Sequence, residues 1–272
     1  MEMKTTQEII APLGHTIIAL SSPPNAEVGD NSIRAWIDHI NSVGDPINQK
    51  PVILVIPFSD VEEAENYAAQ VEVETSYRVV CVCYHGAHGY EPELAAAMAA
   101  ALANSNDPAV PFDGVNLGGI PAVEDQYRLT FERIEAALNN GVCMIDTGAD
   151  GIPEIVRAVS TYRKNPDSGM EDDLMLDING ALIVDYTRKV IRADLSLERR
   201  RKNTSAQRRN VRSIILKRLI QLDDAEILQN VRASAEQLTV VEDPNDRYRA
   251  NASIPADWVR GMHVIAGTLN LY

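Results

Sequence analysis

Three short runs in the first ninety residues are mainly apolar. They are His15–Leu20 (HTIIAL), Pro51–Ile56 (PVILVI) and Arg78–Tyr84 (RVVCVCY). The second and third, with no polar alternation, read as strands covered on both faces. The intervening segments change period. Asn31–Val43 places Ile33, Trp36, Ile37 and Ile40 at helical spacing, with Asp30 as its N-cap. Val61–Val71 follows Ser59 and Asp60, either of which can cap it, and Pro92–Ala103 (PELAAAMAAALA) is an Ala-rich helix with proline in its first turn. Strand–helix alternation predicts a layered α/β sheet, mainly parallel, with right-handed crossovers.

A Pro- and Gly-containing loop, Asn104–Ala122, interrupts this rhythm. The pattern then predicts a helix over Asp125–Asn139, stopped by Asn140-Gly141, and a pair of strands, Gly141–Ile145 and Ile155–Thr161, joined by the turn Asp146–Pro153. Two long helical segments follow. Leu174–Leu197 carries Leu176, Ile178, Leu182, Ile183, Tyr186, Val190, Ile191 and Leu195; Ala206–Leu222 presents Val211, Ile214, Ile215, Leu219 and Leu222. Asp223–Asn230 reads as a further turn of helix. The chain then becomes extended: Gln237–Val241, the polar turn Asp243-Pro244-Asn245-Asp246, a second extended segment, and a strand-like run from Met262 to Tyr272 that includes Val264, Ile265, Leu269 and Leu271. The predicted class is α/β: a layered mixed sheet with flanking helices, long C-terminal helices and a terminal β-hairpin and arm. Residues 1–14 read as an N-terminal extension. Residues 15–260 form the core, α/β over 15–165 and helical with terminal strands over 166–260, and 261–272 form an arm. The last strand either closes the chain's own sheet or pairs with a neighbouring copy, since an unpaired strand edge invites pairing.

Charge adds a second asymmetry. The net charge is −14, but residues 1–150 hold 6 Lys+Arg against 22 Asp+Glu, whereas 151–272 hold 19 against 17. This is either drift in composition or a pair of unlike faces that meet between identical subunits, and a head-to-tail polymer needs two such surfaces. Apolar residues make up 45%, enough for a packed core, and no run of about 18 apolar residues is present to cross a bilayer. Aromatic residues at 5% give little material for stacking single-stranded nucleic acid. The first residues, MEMKTTQEIIAPLGH, lack the basic and apolar regions of a signal peptide. The three cysteines lie in apolar runs and read as buried thiols in a reducing compartment.

Cys81-x-Cys83-x-His85-x-x-His88 has ligand types and short spacings that suit zinc, but its apolar neighbours and Gly86 and Gly89 read as a core strand running into a loop. Tyr84–Tyr90 follows a predicted parallel strand, where open α/β sheets bind small ligands; a doubly wound enzyme or ligand-binding protein using this loop is the alternative function. No Gly-x-Gly-x-x-Gly, Walker lysine, Gly-x-Ser-x-Gly or His-Glu-x-x-His pattern is present, and Gly114-x-x-x-Gly118-Gly119 does not open a helix. No catalytic, cofactor or metal residue is predicted. Arg199, Arg200, Arg201 and Lys202, with Arg208, Arg209 and Arg212, form a basic cluster. It reads as an inter-helix elbow or as a patch meeting an acidic neighbour, rather than as a nucleic-acid site.

The order of these pieces resembles the core of contractile-tail sheath proteins of the Mu-like phage type. The resemblance rests on AAAMAAALANSNDPAVPFDGVNLGGIPAVEDQYRLTFERIEAALNNGVCMIDTGADGIPEIVRAVSTYRKN. This run holds the Ala-rich helix, the Asn-Asp-Pro-Ala-x-Pro loop, Gly-Gly-Ile-Pro, the glycine-stopped helix and a strand ending in Ser-Thr-Tyr. Val240–Arg247, Ile254-Pro255-Ala256-Asp257 and the closing strand are similar to that family's C-terminal hairpin and arm. The resemblance implies a non-enzymatic subunit that forms stacked, hexameric rings around a tail tube and moves as a rigid body on contraction. It needs no cofactor. Its implied partners are further copies of itself, tail tube protein, and baseplate and tail terminator proteins, without direct nucleic acid or membrane contact. Its implied place is a virion tail assembled in the host bacterial cytoplasm. Terminal arms lend strands to neighbours in such sheaths; Met262–Leu271 is the matching position, and Met1–Pro12 the N-terminal candidate by location. Sheath proteins of this type carry further N-terminal sequence and a peripheral domain, whereas this chain begins near the core, as a minimal sheath or a fragment does. A tail-tube or baseplate protein is a third reading.

Overall fold

The computed structural model describes residues 6–24, 32–45, 48–197 and 202–264. Among them the chain divides into two compact units, one within 1–106, 111–181 and 262–272, the other within 107–110 and 182–261.

The first unit is built on the apolar runs. After α1 (Thr6–Ile10) come β1 (Ile17–Ala19), α2 (Ile33–Val43), β2 (Ile53–Phe58), α3 (Val61–Ala68), β3 (Val79–Cys83), α4 (Glu91–Ala103), α5 (Phe131–Asn139), β4 (Val142–Thr147) and β5 (Pro153–Arg157). The sheet order is β1-β2-β3-β4-β5; the first four strands are parallel and β5 runs antiparallel to β4. Every residue of β2 and β3 is buried, as expected for strands covered on both faces. The outer edge of β5 is itself covered: Gly114 N–H donates to the Ile155 carbonyl (2.8 Å), Ile155 N–H to Val115 (3.0 Å) and Leu117 N–H to Pro153 (2.7 Å). The Pro/Gly loop thus closes an edge that would otherwise be open to another chain. Arg133 of α5 grips Glu65 of α3 with two hydrogen bonds of 2.7 and 2.6 Å.

Helix boundaries follow the caps. Ser32, whose hydroxyl accepts from Ala35 N–H (3.2 Å), caps α2; the expected cap Asp30 lies outside the described residues. Asp60 takes the N–H groups of Glu62 and Glu63 at the start of α3. The helix expected over Asp125–Asn139 is broken. A single 3₁₀ turn spans Asp125–Tyr127, Arg128 is extended, and Thr130 caps α5 by accepting from Arg133 N–H (3.3 Å). A Thr that bonds the N3 amide starts a helix there instead of continuing one.

The second unit begins inside α6 (Ile178–Ser196) and contains α7 (Ser205–Asp224), β6 (Leu228–Gln229), α8 (Val231–Ser234), β7 (Thr239–Glu242), β8 (Ala250–Ser253) and β9 (Asp257–Trp258). The helix predicted from Leu174 starts only at Ile178. Residues 176–178 are held along Ala158–Ser160 instead, with Ser160 N–H donating to Leu176 (2.6 Å) and Ile178 N–H to Ala158 (3.1 Å). Asp223–Asn230 is not a helical turn either: α7 ends at Asp224, Glu226 and Asn230 take positive φ (57° and 58°), and β6 pairs with β9. β7 and β8 form the antiparallel hairpin expected around Asp243–Asp246. Ile183, Ile191, Ile215, Leu219, Leu222, Leu228 and Trp258 make the core of this unit.

Candidate functional site

The place where open α/β sheets bind ligands is filled. Tyr84, at the end of β3, is 1% exposed; its hydroxyl lies 2.7 Å from Thr147 Oγ1 and accepts from Val123 N–H (3.0 Å). Arg128 donates to the Thr147 carbonyl (2.8 Å) and sits 3.6 Å from Asp146. Tyr127 presses on Gly86, where an added Cβ would stand 2.5 Å from Tyr127 Cβ and φ is +86°; only glycine suits both constraints. The crevice lined by these residues has a volume of about 10 Å³, roughly one water's worth and far from the ≈300–1,000 Å³ of a ligand site.

The Cys-His pattern resolves the same way. Cys81 and Cys83 are fully buried in β3, and Cys143 in β4. Burial pushes all three thiols up, Cys143 to about 12. His85 Nδ1 accepts from Val61 N–H (3.4 Å), and His88 Nδ1 lies 3.0 Å from Ser59 Oγ. Among the described residues no group of three His, Cys, Asp or Glu could hold a metal.

Of the basic cluster, Arg199, Arg200 and Arg201 lie outside the described residues. Arg208 and Arg212 serve their own unit. Arg208 bonds Asn203 Oδ1 (2.8 Å) and Glu242 (3.0 Å), and Arg212 donates to the carbonyls of Leu238 (2.7 Å) and Ala235 (2.6 Å). Their charges close the hairpin onto α7, a role that a run of arginines in sequence does not reveal.

Of the terminal strand, Gly261–Val264 are described and form no strand, while Ile265, Leu269 and Leu271 lie outside the described residues. What the structure adds is an anchor. His263 Nδ1 is 2.7 Å from Asp113 Oδ2 and its Nε2 is 3.4 Å from Asp177 Oδ2; Asp177 also accepts from Arg157 Nε (2.8 Å) and Nη2 (3.1 Å). On either side of this pinned residue, Met262 and Val264 are 76% and 78% exposed.

The second unit carries an open apolar groove of about 430 Å³. One wall is a stripe of α6, Ile183, Val184, Thr187, Arg188, Ile191 and Arg192; the other is Ala252, Ile254, Ala256 and Trp258, alternate residues of an extended stretch. The two walls respect the helical and extended periods. Two buried polar atoms of the groove's lining residues have no hydrogen-bond partner: Thr187 Oγ1 and Trp258 Nε1. Both residues are only 7% exposed, so each carries an unpaid desolvation cost. Burial, and then the charge of Arg188, push the Arg192 guanidinium below its ordinary value. Neither Thr187 nor Trp258 stands out in the sequence, because the groove exists only once β6 pairs with β9.

No family model matches this sequence, and no curated protein does. Solved structures do. A chain in the anti-feeding prophage helical sheath in its contracted state is 16% identical, with a TM-score of 0.63 over 99% of this chain and 76% of that one. A chain of the anti-feeding prophage baseplate is 15% identical, with a TM-score of 0.63 over 94% of this chain and 68% of that one. A sheath tail protein from Desulfitobacterium hafniense is 15% identical, with a TM-score of 0.65 over 93% of this chain. The chain spans 58% of that protein's length. The described fold is therefore that of contractile-tail sheath proteins, as the order of segments in the sequence implies.

Proposed function

We propose that this chain is a structural, non-enzymatic subunit of a contractile tail sheath. It polymerises as stacked rings, with six-fold symmetry, around a tail tube and moves as a rigid body between two packings when the sheath contracts. The observation that carries this reading is the match of 99% of the chain to a subunit of a contracted helical sheath. The energy of contraction then comes from differences in buried surface and charge pairing, so no nucleotide is required. Tail tube protein, baseplate and tail terminator are the other partners of such a subunit, and neither nucleic acid nor membrane is contacted directly. The particle is a virion tail or related machine, assembled in the host bacterial cytoplasm and used for genome ejection or an equivalent delivery.

In this reading the arm 261–272 lends a strand to a second copy. Val264, Ile265, Leu269 and Leu271 are its contact residues, and its acceptor is the groove between α6 and Trp258. The occupant follows from the chemistry of that groove. An extended segment with alternate apolar side chains suits its walls, and main-chain carbonyls suit the unpartnered Thr187 hydroxyl and Trp258 indole N–H. Arg199, Arg200 and Arg201 meet an acidic neighbour. The test is deletion of Gly261–Tyr272, followed by electron microscopy of the purified protein. Loss of tubes and rings, with the monomer still folded, is expected; assembly that proceeds unchanged refutes the role of the arm.

A further inference from the structure

The β7–β8 hairpin ends in a tip that is held unusually firmly for an exposed loop. Asp243 accepts from the N–H groups of Asn245 (2.8 Å) and Asp246 (3.1 Å) and from Asn251 Nδ2 (2.9 Å). Asp246 accepts from Tyr248 N–H (2.8 Å), and the Asp243 and Arg249 amides close the loop onto Arg249 and Asp246. From the side, Asn203 Nδ2 donates to the carbonyls of Arg247 (2.8 Å) and Arg249 (3.3 Å). All this ordering presents one side chain, Tyr248, which is 98% exposed. A tyrosine held in water on a prebuilt loop gains nothing for its own chain. Against a partner it costs little further ordering, and Tyr and Arg are the residue types that dominate interface energetics. Arg247 and Arg249 flank it; Arg249 also donates to Asn251 Oδ1 (2.9 Å) and lies 3.5 Å from Asp243, so Arg247 leads the charge offered to a partner, and an acidic surface with an aromatic or apolar centre suits this tip.

The chain carries such a surface. At the start of α5, Phe131 is 70% exposed, and Glu132 and Glu135 beside it are exposed as well. Phe131 and Glu135 are four residues apart and share a helix face. This site lies in the half of the chain whose balance is 6 Lys+Arg against 22 Asp+Glu. We infer that the Arg247–Tyr248–Arg249 tip of one copy docks on Phe131, Glu132 and Glu135 of a second copy. Two unlike surfaces in contact make a heterologous interface, which closes as a ring or continues as a helix. The inference rests on self-assembly as proposed above, but uses none of the residues of the arm or its groove.

The experiment places a photo-crosslinking phenylalanine analogue at position 248 in the full chain, with isotopically heavy and light subunits mixed before assembly. The expected product is a heavy–light crosslink mapping to residues 128–136. A crosslink that maps elsewhere, or only within one chain, overturns the inference. In parallel, Tyr248→Ala should weaken self-association by about 30-fold, the scale of a hot-spot truncation. Arg247→Glu should weaken it too, and Glu132→Arg with Glu135→Arg should restore it. Tubes that form normally from Tyr248→Ala and from Arg247→Glu defeat this contact while leaving the sheath reading intact. Wild-type protein that stays monomeric at high concentration defeats both.

Discussion

Replacing Thr187 by valine should raise the stability of the free subunit and lower its tendency to assemble. The hydroxyl is buried in α6 with no hydrogen-bond partner. Leaving such a group unpaired costs about 1–3 kcal/mol. Valine keeps the β-branched shape and a similar helix preference, so the substitution removes the penalty without opening a cavity. A net gain of about 1–2 kcal/mol in the second unit is expected. With a urea slope of about 1–3 kcal/mol per molar for a small cooperative unit, the midpoint should rise by roughly 0.5–1 M. The chain has two tryptophans, and Trp258 lies in this unit; its emission in a Trp36→Phe background therefore follows the transition. The opposite sign is expected on assembly, where the hydroxyl would bond a main-chain group of the docked arm. Losing a bond worth about 0.5–1.5 kcal/mol weakens polymerisation roughly 2- to 12-fold, read from the critical concentration by sedimentation. A midpoint that falls refutes the premise that the hydroxyl is unsatisfied. A raised midpoint with unaltered assembly refutes the groove as acceptor.

Arg133→Met should cost the first unit about 1–2 kcal/mol near neutral pH, because α3 and α5 lose a charge-assisted double hydrogen bond. The hydrogen bonds from Arg133, with help from Asn140, hold the Glu65 carboxyl below its ordinary value against the opposing effect of burial. A depressed carboxyl contributes stability above its unfolded-state value and loses it as pH falls through the folded one. The gap between wild type and variant should therefore shrink as pH drops below the ordinary glutamate range, and a gap independent of pH in acid denaturation contradicts the pairing. The three cysteines should resist thiol reagents at pH 8 in the native state, since burial pushes each thiolate out of reach. All three should react on unfolding, and added zinc should not alter the native rate; rapid native labelling contradicts their placement.

The parts of this molecule that were legible in sequence are those where one local pattern decides the outcome. PVILVI and VVCVC are apolar at every step and short, as central strands are, and β2 and β3 are fully buried. Asp60 before Val61 caps a helix wherever it stands. The segments that were misread are those where a distant partner decides. Leu174–Ile178 has helical spacing, yet Ala158 and Ser160 supply better bonds to its backbone. The break at Arg128–Thr130 is set jointly by the Thr130 cap and by Thr147, which draws Arg128 across the strand ends. Arg208 and Arg212 resembled a surface patch because sequence shows their charge but not the carbonyls and Glu242 that absorb it.

The same distinction separates scaffold from contact surface. In the first unit many buried polar groups find partners inside the chain: Tyr84 has Thr147, Glu65 has Arg133, and the edge of β5 has Gly114–Leu117, although Arg163 Nε and His263 Nε2 form no hydrogen bond. What sets Thr187 and Trp258 apart is that two unpaired buried groups belong to the lining of one apolar groove. Likewise Tyr248 is exposed on a tip secured by Asp243, Asp246 and Asn203. Natural sequences tolerate such local inconsistency where a second molecule removes it. In the proposed sheath, the stability missing from the isolated subunit would be the free energy reserved for assembly. The sites that look defective in one copy are then the ones to search for contacts between copies.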